Sequence, residues 1–340
     1  MHEKPTSSLI AYEAYLRGLQ ASRQATELVV GPLSDRLEGE AVRCFETAIR
    51  EDPQFSAVYA ALATHLVARM GFNHPNKDDL PRIRALVDKA LELDPGSGDA
   101  HLAQANLAMQ GDLDWARAEA EFQEAIALNP SNSSAHNWYG YLLIALQRFE
   151  EARKQFLAAT ELDPLWLTPR LNLTVVEMQN GDVNSSLAAR EAVWKSHDEN
   201  LVARSLLAWG YAYASRAGDA VKLVEPLKGA TDLDSRCIRS EILAVSGRPG
   251  ELRDLLSDTL NGRVAGYVSQ ATLALFHALL GEDERALALL EQDCRKGDRT
   301  LWAFYQSVSF DRIREDPRFV ALLSAMKLPT TLSRRWRLSV

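Results

Sequence analysis

Residues 133–164 read SSAHNWYGYLLIALQRFEEARKQFLAATELDP. Apolar side chains recur at helical spacing in the first half (Trp138, Tyr139, Leu142, Leu143) and again in the second (Phe149, Ala152, Phe156, Ala159). Gln147 and Arg148 fall between the two runs as a short polar break. The pattern predicts two antiparallel helices joined by a tight turn. Pro164 ends the second helix, because proline has no N–H with which to continue the ladder.

The same helix end is written four times. FETAIREDP closes at Pro53, VDKALELDP at Pro95, FQEAIALNP at Pro130 and FLAATELDP at Pro164, at spacings of 42, 35 and 34 residues. Ala48, Ala90, Ala125 and Ala159 share one slot, and Phe45, Val87, Phe122 and Phe156 share the slot one turn earlier. In the first helix of each pair, Ala63, Ala105 and Gly140 occupy a position that must stay small. Small residues let the paired helices approach, and large ones fill the space between neighbouring pairs. One hairpin of this kind cannot bury both of its apolar faces, so the repeat predicts stacked pairs with a continuous core.

Beyond residue 165 the pattern decays. Arg190 stands where the aromatic is expected, and Asp198 where the proline is expected. Residues 201–229 recover the pattern in part, with a turn read at Ala217-Gly218-Asp219. Two further degenerate hairpins are read at 235–260 and 267–296, turning at SGRPG (246–250) and LGEDE (280–284). Insertions at 22–39 and 70–79 break the period and are expected as loops or extended helix ends.

These residues resemble the tetratricopeptide repeat (TPR) family. Ala152, Phe156, Ala159 and Pro164 fit its pattern, as do Ala118, Phe122, Ala125 and Pro130, and Ala41, Phe45, Ala48 and Pro53. The resemblance implies an all-α fold, a TPR-type superhelical solenoid of roughly eight helix pairs with a C-terminal capping helix. The expected organisation is a disordered start over 1–10, regular repeats over 11–165, degenerate repeats over 166–300, a cap over 301–329 and a basic tail over 330–340. Residues 11–19, 111–140 and 311–329 also resemble the TPR region that follows the effector domain in certain bacterial winged-helix regulators, adenylate cyclases and serine/threonine kinases. No effector domain precedes Ala11, so the chain is expected to be either a fragment of such a regulator or a free-standing relative.

Composition narrows the function classes. At 46% hydrophobic and 25% charged residues the chain can bury a core. A net charge of −8 argues against general affinity for nucleic acid or anionic membrane. Cys44, Cys237 and Cys294 are widely separated, which fits a reducing, cytoplasmic setting without a disulfide framework. No signal peptide and no long apolar span is read. No nucleophile elbow, zinc-binding, phosphate-loop or dinucleotide motif is present, so no catalytic, cofactor or metal residue is expected and the protein is read as a non-enzyme.

The expected function is a binding module, whose concave groove is lined by the first helix of each pair. The resemblance places Asn106, Met109, Asn137, Tyr141, Val175, Met178, Trp209 and Tyr213 toward it, with Asn106, Tyr141 and Val175 in one slot. Uncharged amide, aromatic and aliphatic groups suit an extended peptide or a partner helix. The lysines of a carboxylate clamp are missing. Alternatives are a small-molecule sensor built on the degenerate repeats, and an oligomerisation arm that gives a homo-oligomer. His101 and His136 lie 35 residues apart in one slot and are read as packed or hydrogen-bonded rather than as ligands. Phe310, Ile313, Phe319, Leu322 and Leu323 are expected to close the end of the stack, and the tail LSRRWRLSV (332–340) to fray or dock there.

Overall fold

The computed structural model describes residues 6–28, 32–72, 79–262, 268–296, 300–303 and 305–332. The elements formed by the described residues are all helices, and the chain divides into two compact units, 1–144 with 154–169 and 145–153 with 170–340.

The first unit is a series of antiparallel pairs: α1 (Leu9–Leu28) with α2 (Pro32–Glu51), α3 (Ser56–Phe72) with α4 (Leu80–Leu93), α5 (Gly98–Asn106) with α6 (Trp115–Leu128), and α7 (Ser133–Ala145) leading to α8 (Phe149–Leu162). The division between the units falls at the end of α7, within α8 and again after residue 169. The small–large rule is met side chain by side chain. Ala48, Ala90, Ala125 and Ala159 are fully buried, and so are Phe45, Val87, Phe122 and Phe156. A Cβ on Gly140 would stand 2.6 Å from the Phe156 ring, and one on Gly18 would stand 2.6 Å from Phe45. Glycine is required at both places because the aromatic ring occupies the space a side chain would take.

The second unit continues the pairing with α9 (Leu167–Gln179) and α10 (Val183–Ser196), α11 (Leu201–Tyr213) and α12 (Ala217–Val224), α13 (Leu233–Val245) and α14 (Pro249–Leu260), and α15 (Gln270–Leu279) and α16 (Asp283–Arg295). Most first helices here start at a side-chain cap: Asn200, Asp232 and Ser269 accept from the backbone N–H three residues on. Short 3-10 turns at Thr300–Ala303 and Val308–Phe310 lead into α17 (Pro317–Ala325). Phe310, Ile313, Phe319, Leu322 and Leu323 are all buried there, and the Tyr305 hydroxyl donates to the Ala145 carbonyl at 2.8 Å. Eight pairs and a closing helix are therefore present among the described residues.

Several sequence expectations change. The turn read at Ala217-Gly218-Asp219 lies earlier, between Tyr213 and Ala217, because Ser215 rather than glycine takes the left-handed conformation at φ 61°. The insertion at 22–39, by contrast, meets one of its two readings, extended helix ends: α1 and α2 each run to 20 residues, with 29–31 outside the described residues. Helix α1 begins at Leu9, inside the segment expected to be disordered, because the Ser8 hydroxyl caps the N–H of Ala11. Of the 70–79 insertion, 73–78 lie outside the described residues, as do 333–340 of the basic tail.

Candidate protein-binding face

The eight groove candidates separate into two groups. Asn106, Met109, Asn137 and Met178 are buried, so they do not present side chains to a partner. Tyr141, Val175, Trp209 and Tyr213 are half-buried and keep surface. The loss of Met109 has a local cause. After Asn106 the chain passes into a π-helical turn, Leu107–Asp112, which winds more residues per turn and shifts the register that the repeat spacing assumes. Leu113 then closes the turn at φ 51°.

Asn106 is held internally, its amide donating to the Leu102 carbonyl at 3.0 Å. Its Oδ1 and both amide atoms of Gln110, one turn on, are buried without a partner. Groups left this way cost about 1–3 kcal/mol each. Periodicity offers no signal for Gln110, because it lies in the π-helical turn.

The half-buried aromatics are rigidly supported. Tyr141 meets Phe156 edge-on at 6.0 Å and 89° and lies 5.5 Å from Trp138. Trp209 and Tyr213, one turn apart on α11, stack at 5.2 Å and 25°. The Trp209 indole also donates to the Glu241 carboxyl, which accepts from the hydroxyls of Ser307 at 3.1 Å and Ser309 at 3.2 Å. Glu241 as a residue is half-buried, whereas its carboxyl is enclosed. Burial pushes that carboxyl up to about 7, against the three donors that favour the charged form.

A pH dependence follows. A carboxyl with a raised folded-state pKa adds stability below its unfolded value, near 4.5, and that stability is lost as pH rises to about 7. His65 has the opposite sign. Burial, and then the Arg69 cation, hold its imidazole down to about 4, so its contribution is present above the ordinary histidine value and lost as pH falls toward 4. Glu241→Gln, which mimics the protonated acid, is expected to flatten the decline in melting temperature between pH 5 and 8. The change at this group is on the order of 2 kcal/mol. An unchanged slope in thermal scans of the variant would show that the carboxyl is solvated.

Arg190, in the aromatic slot of the degenerate unit, is buried. Its Nη1 donates to the Leu206 carbonyl at 2.6 Å, Nε to the Thr174 hydroxyl and Nη2 to the Thr174 carbonyl, each at 3.2 Å. Burial pushes its guanidinium down to about 10, so it remains charged at neutral pH. His101 and His136 form a repeated staple. One ring nitrogen of each faces the carbonyl of the preceding turn (Pro95 at 3.1 Å, Pro130 at 3.2 Å). The other lies 2.7 Å from Glu121 or Gln155 in the second helix of the pair. No group of three His, Cys, Asp or Glu placed to hold a metal occurs among the described residues. No described helix is long and apolar enough to cross a membrane.

The architecture is that of a tetratricopeptide repeat solenoid. Residues 111–165 match the tetratricopeptide repeat family. The fold is similar to a tetratricopeptide repeat protein of Parabacteroides merdae, with a TM-score of 0.52, 15% identity and coverage of 80% of this chain and 99% of the other. It is also similar to yeast Tom70, with a TM-score of 0.53, 20% identity and coverage of 96% and 69%. In sequence, 93 residues are 31% identical to the type IV pilus assembly protein PilF of Pseudomonas aeruginosa. That segment is 27% of this chain and spans 36% of PilF.

Proposed function

We propose that the protein is a non-catalytic interaction module that binds a protein or peptide through the first helices of its repeats. The observation that carries this reading is the set of half-buried, internally braced aromatics at first-helix positions: Tyr141 on α7, and Trp209 with Tyr213 on α11. Rigid aromatic side chains lose little entropy on contact and supply most of the energy of many interfaces. The resemblance of residues 11–19, 111–140 and 311–329 to the TPR region of bacterial regulators supports a cytoplasmic regulatory or sensory role in signalling or transcription. The relation to PilF, a protein named for pilus assembly, supports work within a multi-protein complex.

The test is affinity capture from native lysate with the wild type, Tyr141→Ala and Trp209→Ala/Tyr213→Ala, each checked for helicity. A defined partner is expected, with recovery by at least one folded variant falling about tenfold or more. Full recovery of every partner by both folded variants would overturn the reading.

A further inference from the structure

The first helix is built inside out. Its inward face is small: Ala11, Ala21 and Ala25 are buried, and Gly18 sits against the Phe45 ring. Its outward face is large and apolar. Leu9 is 70% exposed, Tyr12 38%, Leu16 46% and Leu19 38%, with Ile10 exposed beside them. Of the ten large apolar side chains that are exposed among the described residues, five lie on α1. The exposed positions of α17 include Ala321, Ser324 and Ala325, all small, whereas those of α1 are large and apolar.

The spacing of the stripe selects its occupant. Leu9, Tyr12, Leu16 and Leu19 follow one another at three, four and three residues, a sequence of intervals that reads the same in both directions about Ala14. Two such helices laid antiparallel about a two-fold axis bring Leu9 against the partner's Leu19 and Tyr12 against the partner's Leu16. These are the mixed layers that a heptad seam forms in antiparallel pairing. The charges agree with this arrangement. Glu13 and Arg17 are exposed on one flank of the stripe. In an antiparallel pair that flank faces its own copy, so Glu13 meets the partner's Arg17 and Arg17 meets the partner's Glu13. In parallel pairing that flank would instead face the opposite flank of the partner, and neither charge pair would form.

We infer that the exposed face of α1 is a self-association surface whose partner is a second copy of this chain, joined as an antiparallel two-fold dimer. The inference is independent of the groove described above.

The test is sedimentation velocity of the full chain across micromolar concentrations, with circular dichroism of each variant. The wild type is expected to dimerise. Leu16→Glu, and separately Leu9→Glu, are expected to return it to monomer with unchanged helicity. Glu13→Arg and Arg17→Glu are each expected to weaken the dimer, and the combined reversal to restore it. A wild type that stays monomeric would overturn the inference and leave the stripe to a preceding segment or another protein. A dimer indifferent to both glutamate substitutions would place the contact elsewhere and overturn it equally. A combined reversal weaker than either single one would rule out the antiparallel arrangement.

Discussion

Phe156→Ala is expected to destabilise the first unit by about 3–5 kcal/mol. The ring is fully buried, it fills the space that Gly140 leaves open, and Tyr141 packs against its edge. On the Gly140 side little can collapse into the resulting hole, because that wall is the backbone of α7. Gly140→Val in the wild type adds bulk where a Cβ already meets the ring at 2.6 Å, and is expected to cost about 1–3 kcal/mol. Combined with Phe156→Ala, the same valine enters the vacated space. The double variant is then expected to be more stable than the sum of the two losses by about 0.5–3 kcal/mol. Chemical denaturation of the three variants measures this. Strict additivity would mean that the two residues do not share the space. The loss is expected to be local, since a repeat stack opens by neighbouring units. Hydrogen exchange would show it first in α7 and α8.

Arg190 is the second site of large effect. Arg190→Ala removes hydrogen bonds from a charged donor to Leu206 and Thr174 and opens a cavity opposite Gly210, for an expected loss of about 3–4 kcal/mol. Arg190→Met keeps most of the volume and removes the cost of burying a charge. It is expected to lie within about 1 kcal/mol of the wild type. That burial is costly is evident from the guanidinium being pushed down to about 10. Denaturant midpoints of the two variants separate the alternatives. A methionine variant as unstable as the alanine one would show that the hydrogen bonds, and not the volume, hold α9, α10 and α11 together.

What was legible in the sequence follows from what a repeat constrains. The slots of Ala48, Phe45, Gly140 and their equivalents were readable because each must hold one size of side chain wherever helices of a pair meet. The regular pairs up to Pro164 were readable from period and proline, whereas those beyond were readable only from partial repeats and turn sequences such as SGRPG and LGEDE. The site was less so. Four of eight candidate positions are buried, because the repeat gives the angle of a side chain about its helix but not how closely neighbouring helices cover it. Met109 and Gln110 were further displaced by a π-helical turn, whose extra residue leaves no mark on apolar periodicity. Ser215 took a left-handed turn with glycine three residues away, a choice set by the closing hydrogen bond from Arg216 N–H to the Tyr211 carbonyl at 2.8 Å. Arg190 read as a lost aromatic and proved to be a different filling of the same slot. The apolar stripe of α1 was visible as letters, but only the folded helix shows which of its faces is turned outward.

The central claim is that partners are met by the first helices of the repeats. The most direct measurement is photo-crosslinking in the native lysate, with a light-activated aromatic amino acid placed at Tyr141, at Tyr213, or at exposed Lys154 on the second helix α8. The account predicts a discrete crosslinked species from Tyr141 or Tyr213 and none from Lys154. A product from Lys154 alone, with both aromatic positions silent in folded protein, would contradict it.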